Sequence, residues 1–554
     1  MVVMRLSSLL AIFLCPSVPL VTAAVLPAVS DSSSGAGVVD TGYARYRGNH
    51  TYPNSVAYLG IPYAEPPLGE RRFRAPLPLN TTRVRQEAGG RVVDAMTYPD
   101  QCVQGSTGAG DAGGAGSEDC LNVNIYAPVN ATKDSKLPVL VYIHGGGYVF
   151  GNPRDWPFDH WIQQSPHAVV VSVYYRLDAF GFLSVPELGA ADLNAGFRDQ
   201  IEALRWTQAH IGAFGGDPAR VTINGQSAGG SSVELHLVAH EAAQGKPLFS
   251  QAIAQSVYRI PLPTPEQQRP LFVYFAQTAG CGEGPISAQL ACLRQAPVSV
   301  LARAQDDASF FSETFQGPYR SFHPVVDGEV ITDLPTRSIQ QGNFARVPLI
   351  VGSTSNETLS STSVDIKVAL KAYFPALDNA TLEQYLDIYP RSDYDSDAQR
   401  RQVATGESEL ICARTIIGQA AAVHSPTFTY RYNQPNPTLN DTVTVGHAAE
   451  NWMMFMGTNT GFNGSATFSP MTPTQTAFAE ELIAYWLSFV RAGNPNTFKL
   501  ARSPVWPSYS STSRERIALQ QGTPDTSGSD VEAEPKAETA RCEFVARQVV
   551  EQQN

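Results

Sequence analysis

Positive charge is in short supply. Lys and Arg number 39 against 51 Asp and Glu, a formal net charge of −12, which argues against general affinity for nucleic acid. Charge of either sign is sparse, at 16%, while apolar residues make up 43%. Such a chain has the means to bury a core and lacks the composition of a disordered one. Beyond the first two dozen residues, no apolar run is long enough to span a bilayer. Internal repeats, long linkers and breaks in composition are absent. The 554 residues therefore read as one large domain over 25–554, preceded by a leader.

That leader is residues 1–24. It has one arginine, an apolar stretch interrupted by prolines, and small residues at Ala23 and Ala24, the form of a secretory signal peptide. The expectation is a secreted, extracellular protein with no transmembrane anchor. Cysteine is scarce too. Of seven, Cys15 falls in the leader, leaving Cys102, Cys120, Cys281, Cys292, Cys412 and Cys542. An even number in an oxidising compartment reads as disulfides, but six cysteines allow fifteen pairings and nothing local chooses among them. Glycosylation sequons begin at Asn49, Asn80, Asn130, Asn356, Asn379, Asn440 and Asn463.

What is present is a strand–helix alternation. "VLVYIHGGGYVFG" (139–151) is an apolar run halted by glycines, and "HAVVVSVYYRL" (167–177) is a second β-branched run. "GFRDQIEALRWTQAHIGAF" (196–214) has helical spacing, with Ile201, Leu204 and Ile211 on one face. "RVTING" (220–225) reads as a strand that passes into the helical "SAGGSSVELHLVAH". "VPLIVGS" (347–353) and "TFTYRYN" (427–433) are strand-like, the latter read as the last strand. Alternation of this kind implies an α/β fold with a large, mostly parallel sheet and helices on both faces. The acidic stretch 523–540 reads as mobile, with a short helix from Cys542 ending the chain.

The strand-to-helix junction carries a chemical motif. Gly225-Gln226-Ser227-Ala228-Gly229 fits G-x-S-x-G, a sharp turn that lifts the serine hydroxyl above the sheet, next to a helix N-terminus. A serine needs a base to become a nucleophile, and the base needs a partner to orient it. Glu357, after the strand at 347–353, is the candidate acid, with Asp365 the weaker one. His447, after the strand at 427–433, is the candidate base. His424, the one other histidine beyond Glu357, precedes that strand and points away from the role. "IHGGGY" (143–148) supplies glycine amides for an oxyanion hole, although a plain glycine turn is the alternative. His144 reads as a structural hydrogen-bonding residue.

These residues resemble the type-B carboxylesterase family, which includes cholinesterases and fungal lipases, within the α/β-hydrolase fold. "GIPYAEPPLGERRF" (60–73), "SEDCLNVNIYAP" (117–128), "FGGDPARVTINGQSAGG" (214–230) and "AIAQS" (252–256) look like blocks of that family, from about residue 38 to the C-terminus. The resemblance implies a triad of Ser227, Glu357 and His447, with an oxyanion hole at Gly146, Gly147 and Ala228. It implies disulfides Cys102–Cys120, Cys281–Cys292 and Cys412–Cys542, an Arg72–Glu118 salt bridge, and Ser256 as a supporting serine near the triad. Neither a metal nor an organic cofactor is called for.

Departures from the family narrow the substrate. Gln226 stands where many members have glutamate, and the 103–119 loop contains no tryptophan. Without that ring or carboxylate, choline esters are poor candidates. The same 17-residue loop has six glycines, with Val103 its one bulky aliphatic, so it lacks the apolar face of an interfacial lid. Thr358 replaces the glycine that usually follows the acid and creates the sequon at Asn356, which is expected to stay unmodified because a glycan there would block the site. The expectation is a serine carboxylesterase acting on small-molecule or lipid esters through an acyl-enzyme, with activity falling below roughly pH 6 to 7 as the histidine protonates. A lipase acting on acylglycerols is the alternative. A peptidase, or a non-catalytic binding protein on the same fold, follows further behind. Oligomeric state is left open.

Overall fold

Alternation within single strands decides the architecture. In the strand Leu137–Ile143, Val139, Val141 and Ile143 pack into one apolar cluster, while Leu140 and Tyr142 pack into another on the opposite face. A strand apolar on both sides must be covered on both sides, which is the situation of a parallel sheet sandwiched by helices. The computed structural model describes residues 37–554 except 51, 106–115, 309–313, 360–362, 440, 442 and 461–465. The 1–24 leader, the sequons at Asn440 and Asn463 and the middle of the 103–119 loop lie outside the described residues.

Ten strands form the main sheet: β1 (Ser55–Pro62), β2 (Asn122–Pro128), β3 (Leu137–Ile143), β4 (Val169–Val173), β5 (Gly216–Gln226), β6 (Gln251–Gln255), β7 (Leu349–Thr354), β8 (Thr427–Tyr432), β9 (Glu515–Leu519) and β10 (Asp530–Ala533). Their spatial order is β10-β9-β8-β7-β6-β5-β3-β4-β2-β1. The seven from β9 to β4 run parallel, and antiparallel strands close both edges. The mostly parallel α/β sheet inferred from the sequence is therefore present. Helices α1 (Ala195–His210), α2 (Ala228–Val238) and α3 (Cys412–Ala422) contribute to one cluster; α4 (Ala449–Met454) and α5 (Pro473–Ala492) contribute to the other.

Two expectations at the C-terminal end require correction. The strand at 427–432 is not the last, because β9 and β10 extend the sheet beyond it. Nor is the acidic stretch 523–540 a loose segment. It contributes β10 and the start of helix α6 (Lys536–Arg547), six residues earlier than the helix expected from Cys542. The reason is charge pairing. Glu532 accepts from Arg431 at 2.6 Å and from Arg516 at 2.5 Å, and Arg516 also reaches Glu538 at 2.8 Å. Arg414, buried on α3, bonds Glu538 as well. Partial burial alone would raise the Glu532 carboxyl, but its two arginines pull it down to about 2.

Three disulfides join Cys102–Cys120, Cys281–Cys292 and Cys412–Cys542, the pairs implied by the resemblance. Arg72 grips Glu118 through two bonds of 2.6 and 2.7 Å. It also donates to the carbonyls of Leu293, Arg294 and Ala296, tying the first disulfide loop to the second.

Candidate active site

Ser227 sits between the end of β5 and the start of α2 with φ 60° and ψ −125°, a conformation costly for a residue with a side chain. The surrounding glycines make that turn possible. A Cβ on Gly229 would stand 2.0 Å from the Ile143 carbonyl oxygen, and one on Gly225 would stand 2.3 Å from the Gly229 carbonyl oxygen. The Ser227 amide donates to Gln255 at 3.0 Å, pinning the turn to β6. Ala228 opens α2, so its N–H belongs to the first helical turn, where amides lack partners within the helix.

The candidate acid and base arrive on the next strands along the sheet. Glu357 lies three residues beyond β7, and its Oε1 accepts from the Thr354 amide at 2.9 Å. His447 follows β8 on a loop held by Asn356, whose Oδ1 accepts from the Val445 amide at 3.0 Å. The Asn356 amide returns a bond of 3.0 Å to the Val445 carbonyl. His447 Nδ1 stands 2.7 Å from Glu357 Oε2, and its Nε2 stands 2.7 Å from Ser227 Oγ. Serine, imidazole and carboxylate thus form one hydrogen-bonded chain. Asp365 and His424, the other candidates, are elsewhere. Asp365 caps a helix by accepting from Lys367 and Val368, and the His424 ring packs 6.0 Å from Phe344.

Charge within the chain is polarised. Burial alone would raise the Glu357 carboxyl, yet the charge and hydrogen bond of His447 take it below the ordinary carboxylate value. Burial would lower His447, and the Glu357 charge and hydrogen bond overcome it and raise the imidazole above its usual value. The Ser256 hydroxyl is buried beside Glu357 and contributes to holding it low, though it makes no well-formed hydrogen bond among the described residues. Glu450 adds to the rise of His447 and is itself pushed up to about 7 by burial and the Glu357 charge.

The glycine loop after β3 faces the serine. Gly146 and Gly147 adopt φ of 112° and 62°. A Cβ on Gly146 would fall 2.1 Å from the Phe150 carbonyl oxygen, so the loop closes only with glycine there. His323 hydrogen-bonds the Gly147 backbone, and burial takes its imidazole down to about 3. His144 is buried and stacked between Tyr175 and Trp156, at centroid separations of 4.5 and 5.8 Å. Its Nδ1 bonds the Gly145 carbonyl at 2.8 Å, and burial lowers it to about 4, so it acts as a neutral brace. Gly146, Gly147, Phe150, Trp156 and His323 border one cavity of about 610 Å³, with Ser227 and His447 in its wall. No group of three or more His, Cys, Asp or Glu suited to a metal ion occurs among the described residues.

Sequence reasoning missed several residues here. Glu450 and His323 are distant from any motif, and only Glu450, three positions after His447, carried a local signal. Gly406 was also missed. It ends the helix Asp397–Gly406, and a Cβ there would stand 1.8 Å from the Glu357 carbonyl oxygen. A π-helical turn, Glu407–Ile411, follows at once, an irregularity common beside functional sites.

The family model described as "Carboxylesterase family" matches residues 36–545. Para-nitrobenzyl esterase from Bacillus subtilis (strain 168) is 32% identical over 499 residues, covering 87% of this chain and 94% of that protein. Carboxylesterase 1F from Mus musculus is 30% identical over 532 residues, 87% and 90% respectively. Acetylcholinesterase from Bungarus fasciatus is 29% identical over 506 residues, 84% and 79%. Among solved structures, Aspergillus niger EstA superposes with a TM-score of 0.81 at 30% identity, covering 94% of this chain and 100% of its own.

Proposed function

This chain belongs to the carboxylesterase family and is a carboxylic ester hydrolase, and from that premise we propose a secreted serine esterase that works through an acyl-enzyme on Ser227. The observation that carries the reading is the chain of two 2.7 Å contacts from Glu357 through His447 to a serine at a cavity wall. His447 Nε2 takes the hydroxyl proton as Oγ attacks the ester carbonyl, and Glu357 stabilises the resulting imidazolium. The amides of Gly146, Gly147 and Ala228 receive the developing oxyanion. His447 then passes its proton to the departing alcohol, and water repeats the sequence on the acylated serine. Secretion rests on the character of residues 1–24 and agrees with the disulfides.

The test is Ser227→Ala together with labelling by a fluorophosphonate. The variant should fold, lose nearly all turnover of p-nitrophenyl butyrate, and escape labelling. Turnover at the wild-type rate would end the proposal. A p-nitrophenyl ester series from two to sixteen carbons separates esterase from lipase, since a lipase favours long chains and accelerates when they aggregate.

A further inference from the structure

Behind the cavity wall lies a buried polar clamp that the mechanism does not use. Tyr258 and Leu359 line the cavity and are partly exposed. Both are anchored through Glu409, a buried residue of the π-helical turn. The Glu409 carbonyl accepts from the amide of Arg259, next to Tyr258, at 2.7 Å, and its Oε2 accepts from the Leu359 amide at 3.3 Å. Arg259 is only 1% exposed. Its guanidinium donates to the Ser408 carbonyl and to Gln552 Oε1, each at 2.8 Å, and to Thr336 Oγ1 at 3.2 Å. No carboxylate bonds it among the described residues, so the cost of burying the cation is only partly offset, and burial lowers its affinity for a proton. Residues 552–554 complete the clamp. Gln552 Nε2 donates to the Tyr385 hydroxyl at 2.7 Å, Asn554 Oδ1 accepts from Thr336 at 3.1 Å, and Asn554 Nδ2 donates to the Ile260 carbonyl at 3.0 Å. On the other side, the Tyr258 carbonyl accepts from Ser231 of α2, the helix that begins at the nucleophile.

We propose that Arg259 is a positioning residue for substrate selection: tied to the π-helical turn and to Gln552, it fixes Tyr258 and Leu359 and so sets the width of the cavity they border. The inference rests on the serine-esterase reading above, which assigns that cavity to the ester. A buried arginine bonded to uncharged oxygens is costlier than an apolar side chain of its volume. Its planar fork, however, holds three segments distant in sequence, at Thr336, Ser408 and Gln552, in one fixed arrangement. That arrangement stands directly behind the wall and not behind the triad. Ser227 is pinned to Gln255, Glu357 to the Thr354 amide, and the His447 loop to Asn356, and none of these bonds passes through Arg259. Loosening the clamp therefore shifts the wall and leaves the reacting atoms in place. Binding and size selection should suffer while the chemical step survives.

The experiment measures kcat and KM separately for p-nitrophenyl acetate, butyrate and octanoate, with a thermal melt of each variant. Gln552→Leu removes an acceptor from Arg259, and Gln552→Glu keeps an oxygen there. The leucine variant should raise KM by about 3- to 10-fold with kcat within about threefold, the scale of one lost buried hydrogen bond. The spread of kcat/KM across the three esters should shrink by about the same factor. The glutamate variant should return both to within about twofold of wild type. Arg516→Met, at the β9–β10 edge, controls for destabilisation alone: its melt should fall with KM and the spread unmoved. If Gln552→Leu does not fold, Asn554→Ala, which strips partners from Thr336 and Ile260, gives the same reading. A wild-type KM and spread in a variant whose melt has dropped would make the clamp merely structural and overturn the proposal. So would an equal KM rise in Arg516→Met, no recovery with glutamate, or a wild type that treats the three esters alike. A wild type that cleaves none of the three would instead overturn the esterase reading.

Discussion

Gly406→Ala places a single methyl group against the backbone of the candidate catalytic acid. The new Cβ would stand 1.8 Å from the Glu357 carbonyl oxygen and 2.8 Å from its carbonyl carbon. Ordinary contact requires the two backbones to separate by more than about 1 Å, and both neighbours are main chain that no rotamer change can move aside. One side of the clash is the buried end of a helix; the other is the short loop from β7 to Glu357. That loop is the softer partner, so Glu357 moves. Its bond to His447 is 2.7 Å, and a displacement of that size breaks it. Misplacing catalytic groups by about 1 Å costs on the order of 100-fold, and complete loss of the orienting acid costs about 10⁴-fold. The variant should therefore lose between about 100- and 10,000-fold in kcat with KM little changed. The acid limb of its pH–rate profile should also shift toward lower pH, because His447 no longer feels Glu357 at close range. Overpacking should lower stability by about 1–3 kcal/mol, enough to see in a thermal melt but leaving a folded protein to assay. A kcat within threefold of wild type, or a large loss of kcat with an unmoved acid limb, would refute the reasoning.

His447 works as a base only when neutral, and its environment raises its affinity for protons; activity should thus fall to half at a pH above about 6.5, and a flat kcat/KM profile down to pH 5 would contradict the assignment. Arg516→Met should leave Glu532 to Arg431 and Glu538 to Arg414 and lower stability by about 2 kcal/mol, read as a drop in the denaturation midpoint; no drop would mean the network is not holding β10 in place. The Asn356 side-chain oxygen is tied to Val445 beside Glu357, so the peptide containing Asn356 should run at its unmodified mass in protein passed through a glycosylating secretory pathway.

The junction at Ser227 was legible because everything it needs is local: a β-branched run, glycines at fixed offsets, and an apolar helical stretch. Glu357 and His447 could be placed by a weaker rule, that each follows a strand of a parallel sheet, and β7 and β8 do lead both into one hydrogen-bonded chain with Ser227. It broke down at the C-terminal end. In β9 the strand "ERIAL" carries a buried Arg516, which interrupts the alternation that would mark it. The segment after it looked solvated because composition counts carboxylates without showing their partners. Those partners are Arg414 and Arg431, roughly a hundred residues away, and two charges that neutralise each other in space remain separate in sequence.

The residues that stayed hidden share a physical character. Gly406, Asp155 and Glu450 each violate a local preference: a glycine at a helix end with ordinary φ, and two carboxyls almost wholly buried without arginine or lysine contacts among the described ion pairs. A helix tolerates alanine better than glycine, and a core tolerates leucine better than aspartate. Selection for stability alone would remove all three. The presence of Gly406 and Glu450 around one serine makes sense if each sustains a geometry or a polarity that the reaction uses, the glycine by making room for the acid and Glu450 by raising the base. The same logic applies to Ser227 itself, held at a positive φ that a serine elsewhere would avoid. Local rules broken together around one serine are therefore a stronger sign of the site than any one motif, and the substitution of Gly406 tests that claim.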